Sequence, residues 1–370
     1  MAAVASSPSF SVPTGRVLIL VNGSADGAPA ERARWVARAA GPETTIAHRS
    51  SGLGRTLSGF QAALRATRPR LVYLIDTGIA TVLAGARART LGAHVVLDTG
   101  DATAALTRTT GRLGLLGAVG APAFERAAYR LASIVVARSE ALAAHARQRG
   151  ARRVIVGPDG YDPALVDDGR GDAERARWAA GDRLTVGVVG SAHWNARRRW
   201  CYGRDVIEML AGARRRDVLG VLLVQGDGVP HLRALAVARG VAECLVIEDG
   251  GDAAQTWRRL SALDVALSTQ TDDVVGRVRT TGKLVQYMAA GRFVLASRVG
   301  AAAALLPDEM LVDYHGAWDE GYFARLAARL DALPDRRVLA GQGARLRARA
   351  EPFAYPRLVQ TLSAGVFAEL

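Results

Sequence analysis

Short, nearly unbroken apolar runs alternate along this chain with longer stretches in which apolar residues recur every three or four positions. The runs have strand length: "RVLILVNG" (16–23), "RLVYLIDTG" (70–78), "AHVVLDTG" (93–100), "SIVVARS" (133–139) and "RRVIVGPDGYDP" (152–163). Between them lie segments with helical spacing, such as "APAERARWVARAA" (28–40), "AFERAAYRLA" (123–132) and "EALAAHARQRG" (140–150), the last closed by Gly150. After a polar, Gly/Asp-rich stretch, "ALVDDGRGDAERARWAAGD" (164–182), the alternation restarts. "LTVGVVGS" (184–191), "GVLLVQGDG" (220–228), "ECLVIEDGG" (243–251), "DVALSTQTD" (264–272) and "RFVLASRVG" (292–300) read as strands, with helical segments between them. A β-branched run with no polar alternation is a strand buried on both faces, which implies a parallel sheet covered by helices on each side. The pattern predicts an α/β chain of two doubly wound, Rossmann-like domains. The first covers 15–163 after a loose tail at 1–14, a linker occupies 164–183, and the second domain covers 184–353.

Composition narrows the class. The chain has 370 residues, 49% hydrophobic and 22% charged, and a net charge of +13. Its arginines are spread over many segments, without interleaved aromatic residues and without a zinc-finger, homeodomain or RNP pattern, so no nucleic-acid partner is expected. A solvated basic surface, or a site for an anionic small molecule, fits better. Cys201 and Cys244 form no disulfide framework and no CxxC motif, as expected in a reducing cytoplasm. The opening "MAAVASSPSFSVPTG" lacks a signal peptide's basic and apolar regions. No apolar run approaches the roughly 20 residues of a membrane helix. No His/Asp/Cys group has metal-ligand spacing, so neither metal nor resident cofactor is expected. The two DTG triplets, at 76–78 and 98–100, each end a strand in a βαβ context and read as turns, not as an aspartic-protease pair.

One position stands apart chemically. Lys283 is the only lysine, and the other basic residues counted among the 48 Lys+Arg are all arginine. It lies in "RTTGKLVQYMAAG" (279–291), where Gly282 immediately precedes a helix start. Free N–H groups and the positive dipole end at such a start suit a diphosphate, and a lysine there adds a compact charge.

From 185 onward, the order "VGVVGS", "LLVQGDGVPHLRALAVARGV", "LVIEDGG", "LSALDVALSTQTD" and "TGKLVQYMAAGRFVLASRVGAAAALL" resembles the nucleotide-sugar domain of GT-B glycosyltransferases, in particular the retaining family 4 type. "ERAAYRLASIVVARSEALAAHARQRG" and "VIVGPDGYDPAL" are weaker echoes in the first half, so the resemblance spans about 120–365. It implies the GT-B fold, two Rossmann-like domains facing across a cleft, with a C-terminal helix (354–370) returning to the first domain. It implies a hexosyl- or related transferase that moves a sugar from a nucleoside-diphosphate sugar to a small-molecule acceptor, with retention and without a required metal. The composition hints at an actinobacterial type of genome, where enzymes of the kind it resembles often decorate secondary metabolites, so the resemblance implies a role in secondary-metabolite, antibiotic-type biosynthesis. By the resemblance, Gly282, Lys283 and Leu284 bind the donor diphosphate, helped by Arg197 or Arg198; Gln286 holds the ribose and Asp249 the base. Asn22, Gly23, Asp98 and Thr99 form a donor/acceptor loop, and Asp101 is the candidate catalytic residue, unless these carboxylates cap the next helix.

The chain departs from the pattern at two points. The family's paired glutamates are here Val278 and Gln286, which leaves Asp272 and Asp273 as nearby substitutes for the first. Ser191 stands where the family has an arginine, and its lysine falls near Tyr202. These departures keep two alternatives open: a pseudo-glycosyltransferase acting as a binding or scaffold partner, and a GT-B relative that carries out epimerisation or non-hydrolytic coupling.

Overall fold

A computed structural model describes residues 16–110, 114–166, 171–196 and 199–367. The loose tail expected at 1–14 lies outside these residues. Among the described residues, 16–107, 114–158 and 355–367 form one compact unit, and 108–110, 159–166, 171–196 and 199–354 form another.

The N-terminal unit holds six parallel strands: β1 (Val17–Val21), β2 (Thr44–His48), β3 (Leu71–Ile75), β4 (His94–Thr99), β5 (Ile134–Ala137) and β6 (Val154–Val156). Their order in the sheet is β2-β1-β3-β4-β5-β6. Helices α1 (Ala28–Ala40), α2 (Leu53–Thr67), α3 (Ile79–Thr90), α4 (Thr103–Thr110), α5 (Gly114–Leu131) and α6 (Glu140–Gln148) connect them. All residues of β1 and β3 are buried, as their unbroken apolar runs require. Leu18, Leu20 and Leu74 point into one core; Ile19, Tyr73 and Ile75 point into the core on the opposite face.

The second unit repeats the design. Its strands are β7 (Leu184–Ser191), β8 (Val218–Gln225), β9 (Leu245–Glu248), β10 (Val265–Ser268), β11 (Phe293–Ser297) and β12 (Leu311–Val312), ordered β12-β11-β10-β7-β8-β9. Its helices are α7 (Asp172–Arg177), α8 (Arg204–Gly212), α9 (Val229–Ala238), α10 (Ala253–Ser261), α11 (Val274–Val278), α12 (Gly282–Ala289), α13 (Gly300–Leu305), α14 (Gly321–Asp331) and α15 (Arg336–Ala350). The last helix, α16 (Tyr355–Leu362), belongs to the N-terminal unit. There Tyr355 stacks on Trp35 of α1, and Leu362, Val366 and Phe367 join the core that contains Ile19 and Tyr73.

The expected linker differs from its composition. Within 171–183, helix α7 places Arg175 in the interior of the second unit. Its guanidinium donates to Thr185 Oγ1 (2.9 Å), Asp264 Oδ2 (3.0 Å) and the carbonyls of Gly181 and Arg183 (3.0 and 2.8 Å). Polar residues read as solvated here because the partners that satisfy Arg175 lie in other elements.

Candidate functional site

In a doubly wound sheet, ligands bind beyond the carboxyl ends of the strands, where the strand order reverses and neighbouring connections leave in opposite directions. In the second unit that point is between β7 and β10. Gly190, the next-to-last residue of β7, has φ of +153°, and a Cβ at this position would stand 3.4 Å from Lys283 Nζ. Glycine at 190 therefore serves the backbone conformation, and a Cβ there would meet the ammonium only in ordinary van der Waals contact.

Lys283 is the second residue of α12, whose N-cap, Thr281, makes no side-chain cap bond. A Cβ on Gly282 would meet only Asp159 Cβ, at 3.8 Å, so the helix start is sterically open within its own unit. The Lys283 ammonium lies 3.3 Å from the centroid of the Tyr202 ring. Its Nζ is buried and has no hydrogen-bond partner among the described residues. A buried ammonium with three unused donors costs free energy unless something compensates it. The phenol face is one compensation. Asp205, 1% exposed, is another: its carboxylate accepts the hydroxyl of Thr269 at 2.5 Å and the Val206 N–H at 3.2 Å.

The protonation equilibria reflect this crowding. Burial lowers the Lys283 pKa, Tyr202 and Asp205 pull it back up, and Arg279 lowers it again. Burial raises that of Asp205 above its ordinary value, against Thr269 and Lys283. Burial alone would raise the Tyr202 phenol, but Lys283 and Arg279 outweigh it and the net shift is downward. Tyr287 of α12 accepts the Val189 N–H at 2.9 Å and so ties the helix to the end of β7.

Lys283, Gly282 and Gln286 thus share one short helix at the switch point. The half-buried Gln286 side chain makes no hydrogen bond among the described residues. Leu284 is a correction: its side chain is buried in the core and its N–H is taken by the Thr281 carbonyl at 3.0 Å, so it offers nothing to a ligand. Val278 is buried. Neither expected substitute is unengaged, since Asp273 caps α11 through the Gly276 N–H (3.1 Å) and Asp272 pairs with Arg277 (2.6 Å). Asp249 is exposed at the end of β9 and accepts the Gly251 N–H at 2.9 Å. Arg197 and Arg198 lie outside the described residues; the loop that carries them is closed by reciprocal backbone bonds between Asn195 and Trp200. Sequence reasoning missed Tyr202, Asp205 and Arg279 as neighbours of the lysine. Only the arginine, four residues upstream, left any local signal.

In the N-terminal unit, Asn22 and Gly23 follow β1, and Asp98 and Thr99 end β4. Asp98 does not face a ligand as expected. It is fully buried and accepts Arg32 Nε (2.7 Å), the Tyr73 hydroxyl (2.8 Å) and Arg138 Nε (3.1 Å). Thr99 is buried as well, while Asp101 is half-buried. The Ala104 N–H in the first turn of α4 goes to Glu125 Oε1 at 3.0 Å.

No group of three or more His, Cys, Asp or Glu residues could hold a metal, and no helix is long and apolar enough to cross a membrane, among the described residues. Two six-stranded Rossmann-like domains, with the site of the second at its switch point, define the GT-B fold. The solved structures that the chain resembles bear this out. Anabaena HepE, in complex with UDP and glucose, superposes with a TM-score of 0.75 at 17% identity over 96% of this chain and 100% of that one. Sucrose-phosphate synthase from Thermosynechococcus elongatus gives 0.73 at 16% identity, over 94% and 98% of the two chains. A UDP-forming trehalose-phosphate synthase from Burkholderia vietnamiensis gives 0.64 at 14% identity, over 95% and 96%. No family model matches the sequence, and no curated protein matches it.

Proposed function

We propose that this chain is a glycosyltransferase that binds a nucleoside-diphosphate sugar at the β7/β10 switch point and transfers the sugar to a small-molecule acceptor. The observation that carries the reading is the Lys283 ammonium, buried without a hydrogen-bond partner at an uncapped helix start. A diphosphate oxygen would satisfy its donors, and the helix dipole would add to the attraction. The same groups would stabilise the charge that develops on the leaving diphosphate, the largest catalytic contribution open to such a site. Arg279, which already acts on Lys283 and Tyr202, supplies further positive potential. Fold neighbours that hold UDP-glucose, or whose name gives UDP as the product, support a UDP-sugar as donor. Retention, with the leaving phosphate taking the acceptor's proton, and a secondary-metabolite acceptor are the finer parts of the proposal.

The buried Val278 favours a second reading, a nucleotide-binding protein without transferase activity, because no carboxylate stands at that position to contact the donor sugar. Release of UDP, GDP or dTDP from the corresponding sugars, followed with and without candidate acceptors, separates the two. Nucleotide release supports the transferase, and tight binding with no release under any condition supports the second reading.

A further inference from the structure

The sheet of the N-terminal unit reverses its strand order between β1 and β3, the same topological position that holds Lys283 in the second unit. The side chains there are Asn22, after β1, and Asp76, after β3. Asp76 has φ of +62°, a left-handed conformation rare outside glycine. Such strain persists only where the surroundings over-determine it, and here they do. The Asp76 N–H donates to the Asp98 carbonyl (2.8 Å), and its carboxylate accepts Arg138 Nη2 (2.7 Å). Arg138 is in turn fixed by the buried Asp98, which Arg32 and Tyr73 hold from the other side. Asn22 packs so closely over the next loop residues that a Cβ on Gly78 would overlap it at 2.6 Å, and its amide donates to the Thr77 carbonyl (3.4 Å).

A buried ion pair, Arg32–Asp98, and a partly exposed one, Arg138–Asp76, thus hold one carboxylate in place. Asp76 keeps 27% of its side chain open to solvent, whereas Asp98 behind it keeps none. We infer that Asp76 is an acceptor-contacting residue of the β1/β3 crevice, held in place by Arg138 and Asp98. The ligand class is a neutral or cationic, hydroxyl-rich molecule, because carboxylate and amide oxygens recognise hydroxyl and ammonium donors. The inference rests on the transferase reading for the word acceptor, while the site itself rests on the N-terminal unit alone.

The test uses the full chain with UDP at saturation and glucose, galactose and glucosamine as separate probes, followed by saturation-transfer NMR. UDP binding is titrated in parallel. The wild type should bind at least one probe, and Asp76→Asn should weaken it about tenfold to a hundredfold, as for the loss of a charged hydrogen bond. The UDP dissociation constant should stay within about twofold. Asparagine tolerates the left-handed backbone as aspartate does, so the variant should stay folded, which thermal melts check. Arg138→Gln should weaken the probe similarly, and Arg138→Lys should restore part of the loss. Unchanged probe binding by Asp76→Asn overturns the assignment, as does a wild type that binds UDP but none of the probes. A wild type that binds a probe through Asp76 but no nucleotide diphosphate sinks the transferase reading and leaves the crevice standing.

Discussion

Lys283 is held by charge compensation and not by a hydrogen bond among the described residues. Its ammonium rests on a ring, and the nearby buried carboxylate of Asp205 balances its charge. Removing it therefore does more than the sequence suggests, since an exposed lysine would leave the melting temperature unchanged on substitution. Lys283→Ala should weaken UDP binding roughly ten- to a hundredfold. It should also destabilise the fold by about 1–3 kcal/mol, because Asp205 loses its counter-charge in the interior. Asp205→Asn in the same chain should recover most of the melting temperature without recovering UDP binding. Calorimetric titration and thermal melts of the two variants separate the roles. The lowered Lys283 pKa adds a pH signature with two opposite signs. The unfolded chain holds the Lys283 proton more tightly than the folded one. Between the lowered folded pKa and the ordinary lysine pKa, this residue's contribution to the stability of the ligand-free protein therefore rises with pH. The diphosphate needs the ammonium, so UDP affinity should fall with pH over the same window and binding should take up protons. Titrations in buffers of different ionisation enthalpy measure that uptake, and its absence contradicts a lysine–phosphate contact.

At the scale of elements, the strands were legible because burial on both faces leaves no polar alternation to confuse the reading. β1, β3, β7 and β8 begin and end within a residue or two of their apolar runs. The start of α12 was legible from Thr281-Gly282 ahead of an apolar helix. The segment 171–183 was not, since its polarity serves the buried Arg175, whose partners Thr185 and Asp264 belong to other elements. The surroundings of Lys283 were hidden for the same reason: Asp205 lies in the first turn of α8 and Tyr202 just before it, far away in sequence. The role of Asp98 was misread because nothing local shows that Arg32 and Arg138 converge on it. The C-terminal segment follows from one apolar face, and Leu358, Leu362, Val366 and Phe367 are all buried. Deleting 356–370 should expose that face of the N-terminal core and cost on the order of 5 kcal/mol or more, comparable with the whole stability of a domain. A truncated chain that melts at the parent temperature contradicts this packing.

For the whole molecule, which carries a net charge of +13, buried carboxylates are matched to cationic or N–H partners. Glu125 is one: burial alone would raise its pKa, but His145 and the Ala104 N–H bring it below the usual range. A depressed folded pKa contributes stability above the unfolded value and loses it as pH falls, so Glu125→Gln should flatten the acid limb of the stability curve, read by melting temperature from neutral pH downwards. Charge also sets the central claim, that the second unit is built to hold a diphosphate through Lys283. A ligand at 100 times its dissociation constant raises stability by about 2.7 kcal/mol, enough for a clear thermal shift. The most direct test is calorimetric titration of UDP and of uridine into the wild type and into Lys283→Ala/Asp205→Asn. The account predicts that UDP binds the wild type, binds the double variant ten- to a hundredfold more weakly, and that uridine binds both alike. Equal UDP affinity for the two proteins, both folded, contradicts it.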